Sequence, residues 1–495
     1  MVKTGNRLTY RVFLVASGTL CLSYAFLFKP VTIESQGDFP AYLDLARQIF
    51  HLPGASDADL SHRSPLFSAI MGVFMVLFGD SSYLVPLMFL QYFLVFLSSL
   101  FIFEIVLSLT ARKPAAFIAG MAGIFNLATV FFGYMILSET LALFLFTLTV
   151  WLLLKYFSNG ERVLIVFTGV AAGLLILARF NMMALPAVIL ALMPAIYLLR
   201  KDKPAAGRLL TDLFLFAGAV AFVLNLWAFR NYLEEDRYEL IPSHHLGTRW
   251  AVPATISPSD RVTDEYVPVL SIFLATRERL LAIENDRVYR KSSLLENDFL
   301  SRINNRYRPP VSGYLMYRDS EQELLNFYKF DKTPQGIRDL NMKLKPFYSQ
   351  IADQNKKELR RLRVYSLLYT FKHISPTLAG SEKLNLNRLP SPLLKAYKIL
   401  FIAVIVMTYM GSVIHMVYLL MKRDRLTAGL HWFMVYGLIW YFPVINWYAN
   451  VLGDANRFRY PADMLLAGLF VSYLFLLSGR KGVSQGVFSG NQITK

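Results

Sequence analysis

The sequence predicts an α-helical polytopic membrane protein with about ten transmembrane helices, interfacial helices on the outer face after the first span, and a mid-chain extracytoplasmic domain. Three observations carry that prediction. Apolar residues make up 55% of the 495-residue chain and charged residues only 17%, with 39 Phe and 27 Tyr, the balance of a polypeptide that sits in lipid. Apolar runs of about 20 residues, enough to cross a bilayer core, recur along it. The Lys and Arg behind a net charge of +17 fall in short clusters at the ends of those runs, where they orient helices against anionic headgroups. No basic stretch is interleaved with aromatic side chains as a nucleic-acid surface requires, so membrane lipids, and not nucleic acid, are the partners this charge serves.

The first run, Val12 to Phe28, follows Lys3, Arg7 and Arg11 and ends in Lys29-Pro30 without a small-x-small cleavage pair, which makes it an uncleaved first span. Further spans are predicted near Leu84 to Leu109, Ala115 to Tyr134, Thr140 to Phe157, Val163 to Arg179 and Met182 to Leu199. The rest lie near Leu209 to Phe229, Leu394 to Met421, Leu430 to Ile445 and Met464 to Leu477. Pro65 to Gly79, about 15 residues, is short for a crossing and is assigned to the interface. With it outside the count, Lys3/Arg7/Arg11, Arg112-Lys113, Arg162, Arg200-Lys201-Lys203, Lys422-Arg423-Arg425 and Arg480-Lys481 all fall on one side, the side that is cytoplasmic under the positive-inside rule. Both termini are then cytoplasmic. The chain divides into an N-terminal transmembrane module (1–229) with an outer loop at 29–83, an extracytoplasmic domain (230–393) and a C-terminal transmembrane module (394–495).

The stretch from 230 to 393 is too long for a connecting loop and carries helical patterns of its own, at Ser320 to Phe330 and Gln335 to Arg363. Its run Lys356-Lys357-Glu358-Leu359-Arg360-Arg361-Leu362-Arg363 reads equally as a basic helix face near lipid or glycolipid phosphates and as a plain solvated face. No internal repeat, low-complexity segment, Walker motif or dinucleotide fingerprint occurs. The one cysteine, Cys21, lies inside the first span, so neither an internal disulfide nor a Cys-based metal site can form. Trp227, Trp432, Trp440 and Trp447 are expected in the interfacial aromatic belt. Glu104, near a helix end, is expected to snorkel or to pair with Arg112 or Lys113.

The densest chemistry lies just after the first span. Gly37-Asp38-Phe39-Pro40-Ala41-Tyr42 is followed by Leu45-Ala46-Arg47 and then His62-Arg63-Ser64-Pro65, which opens the short apolar run ending in Phe78-Gly79. An acidic residue in the first outer loop with Tyr four positions on, a basic-x-Pro entry into a short apolar helix, a mid-chain outer domain, and Arg457-Phe458-Arg459-Tyr460-Pro461 ahead of the last span form an ordered pattern. In that order the chain resembles the GT-C glycosyltransferases, and by pattern the protein O-mannosyltransferase and aminoarabinose transferase branch. The likeness covers the N-terminal half and returns at 457–461.

The resemblance implies a membrane glycosyltransferase, a hexosyl- or pentosyltransferase of inverting type. It would move a sugar from a polyprenyl-phosphate donor to a hydroxyl of a glycolipid, glycan or protein acceptor in cell-envelope glycan biosynthesis. The setting it implies is the bacterial inner (plasma) membrane, with the active site on the extracytoplasmic face. Such a transfer needs a carboxylate to take the acceptor's proton and cations to receive the departing phosphate. Asp38 is the expected base; the competing reading is a helix N-cap ahead of Pro40. Arg63, Arg459 and Arg179 are the expected phosphate ligands, since the guanidinium fork offers several donors at fixed charge, against a reading in which each snorkels to headgroups.

Tyr42, one turn after Asp38, is expected to line the substrate cavity with His62, Glu139 and Tyr460; for Glu139 a helix cap is the competing role. No cofactor is required by these residues. A divalent metal is possible through Asp38 and His62, two ligands being a thin set, and His244-His245 read as solvent-facing. The alternative class is a transporter or flippase for a lipid-linked or anionic solute, which would place ionisable groups or broken helices near the bilayer midplane in two repeated halves.

Overall fold

The computed structural model describes residues 5–30, 32, 38–55, 64–199, 206–235, 238, 240, 252–291, 313–331, 334–371, 391–421, 423–449 and 459–477. These are helical throughout apart from turns and a single bridge residue. Helix α1 (Gly5–Leu27) leads to two short helices, α2 (Phe39–Ile49) and α3 (Pro65–Phe78), both opened by a proline in the first turn, where the missing N–H costs nothing and φ is already set. Then come α4 (Leu84–Thr110), α5 (Lys113–Phe125), α6 (Leu127–Tyr134), α7 (Glu139–Asn159), α8 (Arg162–Ala178), α9 (Leu185–Leu199) and α10 (Ala206–Glu235). Past the middle of the chain follow α11 (Val267–Lys291), α12 (Gly313–Tyr328), α13 (Pro334–Gln354) and α14 (Lys356–Thr370), and last α15 (Ser391–Met421), α16 (Arg423–Ala449) and α17 (Asp463–Leu477).

Among the described residues seven helices are long and apolar enough to cross a membrane, or eight with the bent pair α5 and α6 counted as one span. Every span predicted from the sequence is a helix or a helix pair, with α9 and α17 the shortest single helices at 15 residues each. The predicted span from Ala115 to Tyr134 is broken, bent by 51° between α5 and α6. Asn126 makes the break, its Oδ1 accepting from Ala128 N at 3.0 Å as the cap of α6, while Tyr397 donates to the same oxygen from α15 at 2.9 Å. Helix α3, 14 residues long, is too short to cross. It buries Phe67, Ser68, Met71 and Met75 and leaves Val76, Leu77 and Phe78 exposed, an interfacial division. Gly72 on α3 lets α2 approach, since a Cβ there would meet the Phe50 ring at 2.2 Å.

At the end of the bundle opposite α2 and α3, α7 to α10 converge on Asp212, whose side chain is fully buried. Tyr156 and Tyr197 donate to its Oδ2 at 2.6 and 3.0 Å, and Arg162 and Arg208 lie at 3.4 and 3.7 Å. Helix α7 ends there at Gly160 with φ 73°. Glu104 pairs across to Lys155 at 3.2 Å and not, as predicted, to Arg112 or Lys113, because α4 packs along α7 and brings that lysine within reach. Trp432 packs within the bundle. It is buried and stacks on Tyr473 at 6.0 Å, filling space between α16 and α17.

Described residues of 252–291, 313–331 and 334–354 form a second core around Phe273, Leu324, Leu340, Leu344 and Phe347. The single helix predicted to run on to Arg363 is two, broken at Asn355, whose Nδ2 donates to Asp260 Oδ1 at 2.9 Å. Beyond the break, α14 packs against α16, and Phe371 just after it meets the Tyr409 ring of α15 at 5.3 Å.

Helix directions place the described residues 38–55, 135–139, 179–184 and 459–462 at the same end of the bundle as this second core. Prediction from the charge distribution puts that end outside. With Ser81→Cys or Asp202→Cys in a Cys21→Ser background, an impermeant thiol reagent applied to intact cells is expected to modify position 81 and spare position 202. Labelling of 202 alone would add a span and invert all that follows.

Candidate active site

Helix α2 begins the site. Asp38 occupies its N-cap position in a helical conformation (φ −72°, ψ −17°), yet the side chain makes no capping hydrogen bond, so the cap role that competes with catalysis is not the one it plays. It is half-buried. One turn on, Tyr42 is 6% exposed; its hydroxyl is 3.0 Å from Ser138 Oγ and its ring meets Phe67 of α3 edge-on at 5.4 Å. Burial, and then the charges of Asp38 and Glu139, push the Tyr42 phenol above its ordinary pKa, with Arg179 and the Ser138 hydrogen bond acting against them. Tyr42 therefore stays protonated and polar at neutral pH.

Glu139 opens α7, where the helix dipole favours a carboxylate, and Arg179 follows the last residue of α8, where it favours a cation. The two meet at 2.9 Å with side-chain exposures of 0% and 7%. Removing one partner of such a buried pair leaves an uncompensated charge, at a cost of about 3–5 kcal/mol. Just beyond, Phe180 N donates to Ser64 Oγ at 3.1 Å, tying the start of α3 to the turn that carries Arg179. The non-helical backbone ahead of α7 is held by Gln91 of α4, whose Nε2 donates to the carbonyls of Phe132, Gly133 and Met135 at 3.0, 3.0 and 2.6 Å, and by Thr140 Oγ1 donating to Phe132 O at 2.8 Å.

The structure thus brings together Asp38, Tyr42, Glu139 and Arg179, with Tyr460 beside them. Tyr460 is fully buried and its ring lies 4.5 Å from that of Phe132, in a turn packed on α7. Arg459 is turned inward: it is wholly buried, binds Asp463 through Nε at 2.7 Å and Nη2 at 3.3 Å, and donates to the Thr370 carbonyl at the end of α14. His62, Arg63 and His244-His245 lie outside the described residues. Among the described residues no group of three or more His, Cys, Asp or Glu could hold a metal.

Sequence reasoning missed Gln91 and Asp463. A lone amide in an apolar span is a signal that could have found the first, because a polar group in hydrocarbon needs a partner. The Arg-x-x-x-Asp spacing at 459 and 463, one helical turn, could have found the second.

No protein-family model matches this chain, and none of the curated proteins does. Solved structures share its fold. The archaeal oligosaccharyltransferase AglB from Archaeoglobus fulgidus, in complex with an inhibitory peptide and a dolichol-phosphate, superposes with a TM-score of 0.50 at 13% identity, over 96% of this chain and 51% of that one. The apo form of the oligosaccharyltransferase from the same organism gives 0.49 and 13%, over 94% and 50%. ArnT from Cupriavidus metallidurans bound to undecaprenyl phosphate gives 0.37 and 14%, over 92% and 79%. The chain spans about half the length of the oligosaccharyltransferases it matches. At this identity the likeness is one of fold.

Proposed function

Taking the GT-C membrane fold as its premise, we propose that this protein is an inverting membrane glycosyltransferase that moves a sugar from a polyprenyl-phosphate donor to an acceptor hydroxyl at the extracytoplasmic face. The observation that carries the reading is Asp38: a half-buried carboxylate with no capping bond to its own helix, set beside a buried Tyr42–Ser138 contact and a buried Glu139–Arg179 pair. The dolichol-phosphate bound by the oligosaccharyltransferase of like fold supports the donor class.

In a single displacement the acceptor oxygen attacks the anomeric carbon as its proton passes to Asp38. The bond from that carbon to the phosphate oxygen breaks, the polyprenyl phosphate leaves with the bonding pair, and attack from the opposite side inverts the anomeric centre. Tyr42, held neutral, orients the Asp38 side of the cleft. Glu139 fixes Arg179 at the mouth, where the guanidinium faces the charge that develops on the phosphate; Arg63, next to Ser64 in sequence, is the second cation of this reading. Arg459, engaged with Asp463 and Thr370, is assigned to the framework beneath.

No step of this reading is routed through a metal. The purified protein in lipid is expected to transfer labelled sugar from a polyprenyl-phosphate donor to an acceptor extract, and to keep doing so in excess chelator. Absence of transfer with every donor tried would sink the reading. Loss in chelator with recovery on adding Mg²⁺ or Mn²⁺ would put an ion on Asp38 and His62.

A further inference from the structure

The face of α14 turned away from the bundle carries Lys356, Lys357, Arg360, Arg361 and Val364, which together line one cavity of about 460 Å³. The spacing i, i+1, i+4, i+5, i+8 keeps them on one side, while Leu362, Ser366 and Thr370 are buried on the other. Two of the four cations are already answered, Lys356 by Asp353 at 3.1 Å and Arg361 by Glu358 at 2.7 Å. Lys357 and Arg360 form no ion pair with any described residue, so two positive charges face one cavity uncompensated.

The other end of the helix reaches an apolar helix. Phe371 packs on Tyr409, which lies within the apolar window Ile399–Met421 of α15, and α14, with 15 residues, is about 22 Å long, so its basic turns stand at the opposite end from that apolar contact. Val364 gives the cavity an apolar wall, and its volume is several times that of a bare phosphate ion.

We propose that this cradle seats the phosphate of an anionic bilayer phospholipid, fixing the second core to the membrane surface through α14, independently of any transferase activity. The full chain is reconstituted in phosphatidylcholine nanodiscs containing phosphatidylglycerol, and bound lipid is quantified after stepwise detergent exchange. The wild type is expected to retain phosphatidylglycerol over phosphatidylcholine, and Lys357→Gln/Arg360→Gln to weaken that preference by roughly 25-fold, about fivefold for each cation near the surface. Lys345→Gln, an exposed cation elsewhere in the second core, is expected to change nothing. Three results would overturn the proposal: no preference in the wild type, an unchanged preference in the double variant, or displacement of the lipid by millimolar inorganic phosphate. Stronger retention of undecaprenyl phosphate than of phosphatidylglycerol at equal mole fraction would overturn it as well, by making the cradle a donor site. The readout is lipid retention, so it stands or falls whether or not sugar is transferred.

Discussion

Asp38→Asn is expected to abolish sugar transfer while the protein stays folded and inserted, because a neutral amide cannot accept the acceptor's proton. General-base contributions are about 10²- to 10⁴-fold, and a loss in that range should appear in turnover more than in donor affinity. The substitution is a clean one for two reasons. Asp38 makes no capping hydrogen bond, and Asn serves at least as well as Asp at a helix start, so the start of α2 is kept. Turnover is to be measured on lipid-reconstituted protein whose thermal midpoint matches the wild type. Near-normal rates would remove Asp38 from the chemistry and leave Glu139 as the acidic group to examine.

Arg459→Ala is expected to be the most destabilising substitution in the chain's C-terminal module. It strands Asp463, wholly buried and bonded at 2.7 Å, as an unpaired charge, which costs about 3–5 kcal/mol, and it withdraws a donor from the Thr370 carbonyl. The double variant Arg459→Met/Asp463→Leu separates framework from catalysis. Replacing a buried pair by apolar groups of similar size is often neutral or stabilising by about 1–4 kcal/mol, so the double variant should recover its thermal midpoint. With Arg459 as framework, transfer returns with stability. A double variant that folds normally but has lost donor affinity would return Arg459 to the phosphate, where the sequence pattern alone had placed it.

The fold was legible because hydropathy and charge act over whole helices. A run of apolar residues must be helical in lipid to satisfy its own backbone, and the Lys and Arg clusters then fix direction, so each predicted span meets a helix. What the pattern could not show was any interruption within a span: Asn126 breaks one at 51° by capping a helix inside an otherwise continuous apolar run, and only the Tyr397 hydroxyl arriving from α15 makes the cap secure. The same limit applies at the site. Asp38, Tyr42, Glu139 and Arg179 could be named because each sits at a helix end on one side of the membrane count. Their pairing could not, since Glu139 and Arg179 are joined through the approach of α7 to α8, and Arg459 looked like an outward cation because one partner, Thr370 on α14, lies 89 residues away and the other, Asp463, went unread.

The Asp212 cluster has a mechanical consequence for the opposite end of the molecule. Four successive helices are riveted through one carboxylate by two phenols and two guanidinium groups, while the Glu139–Arg179 contact joins the far tips of two of them about 30 Å away along α7. Helices α7 and α8 are therefore fastened at both ends, through Asp212 and through Glu139–Arg179, while the Asp212 cluster fastens α9 and α10 at one.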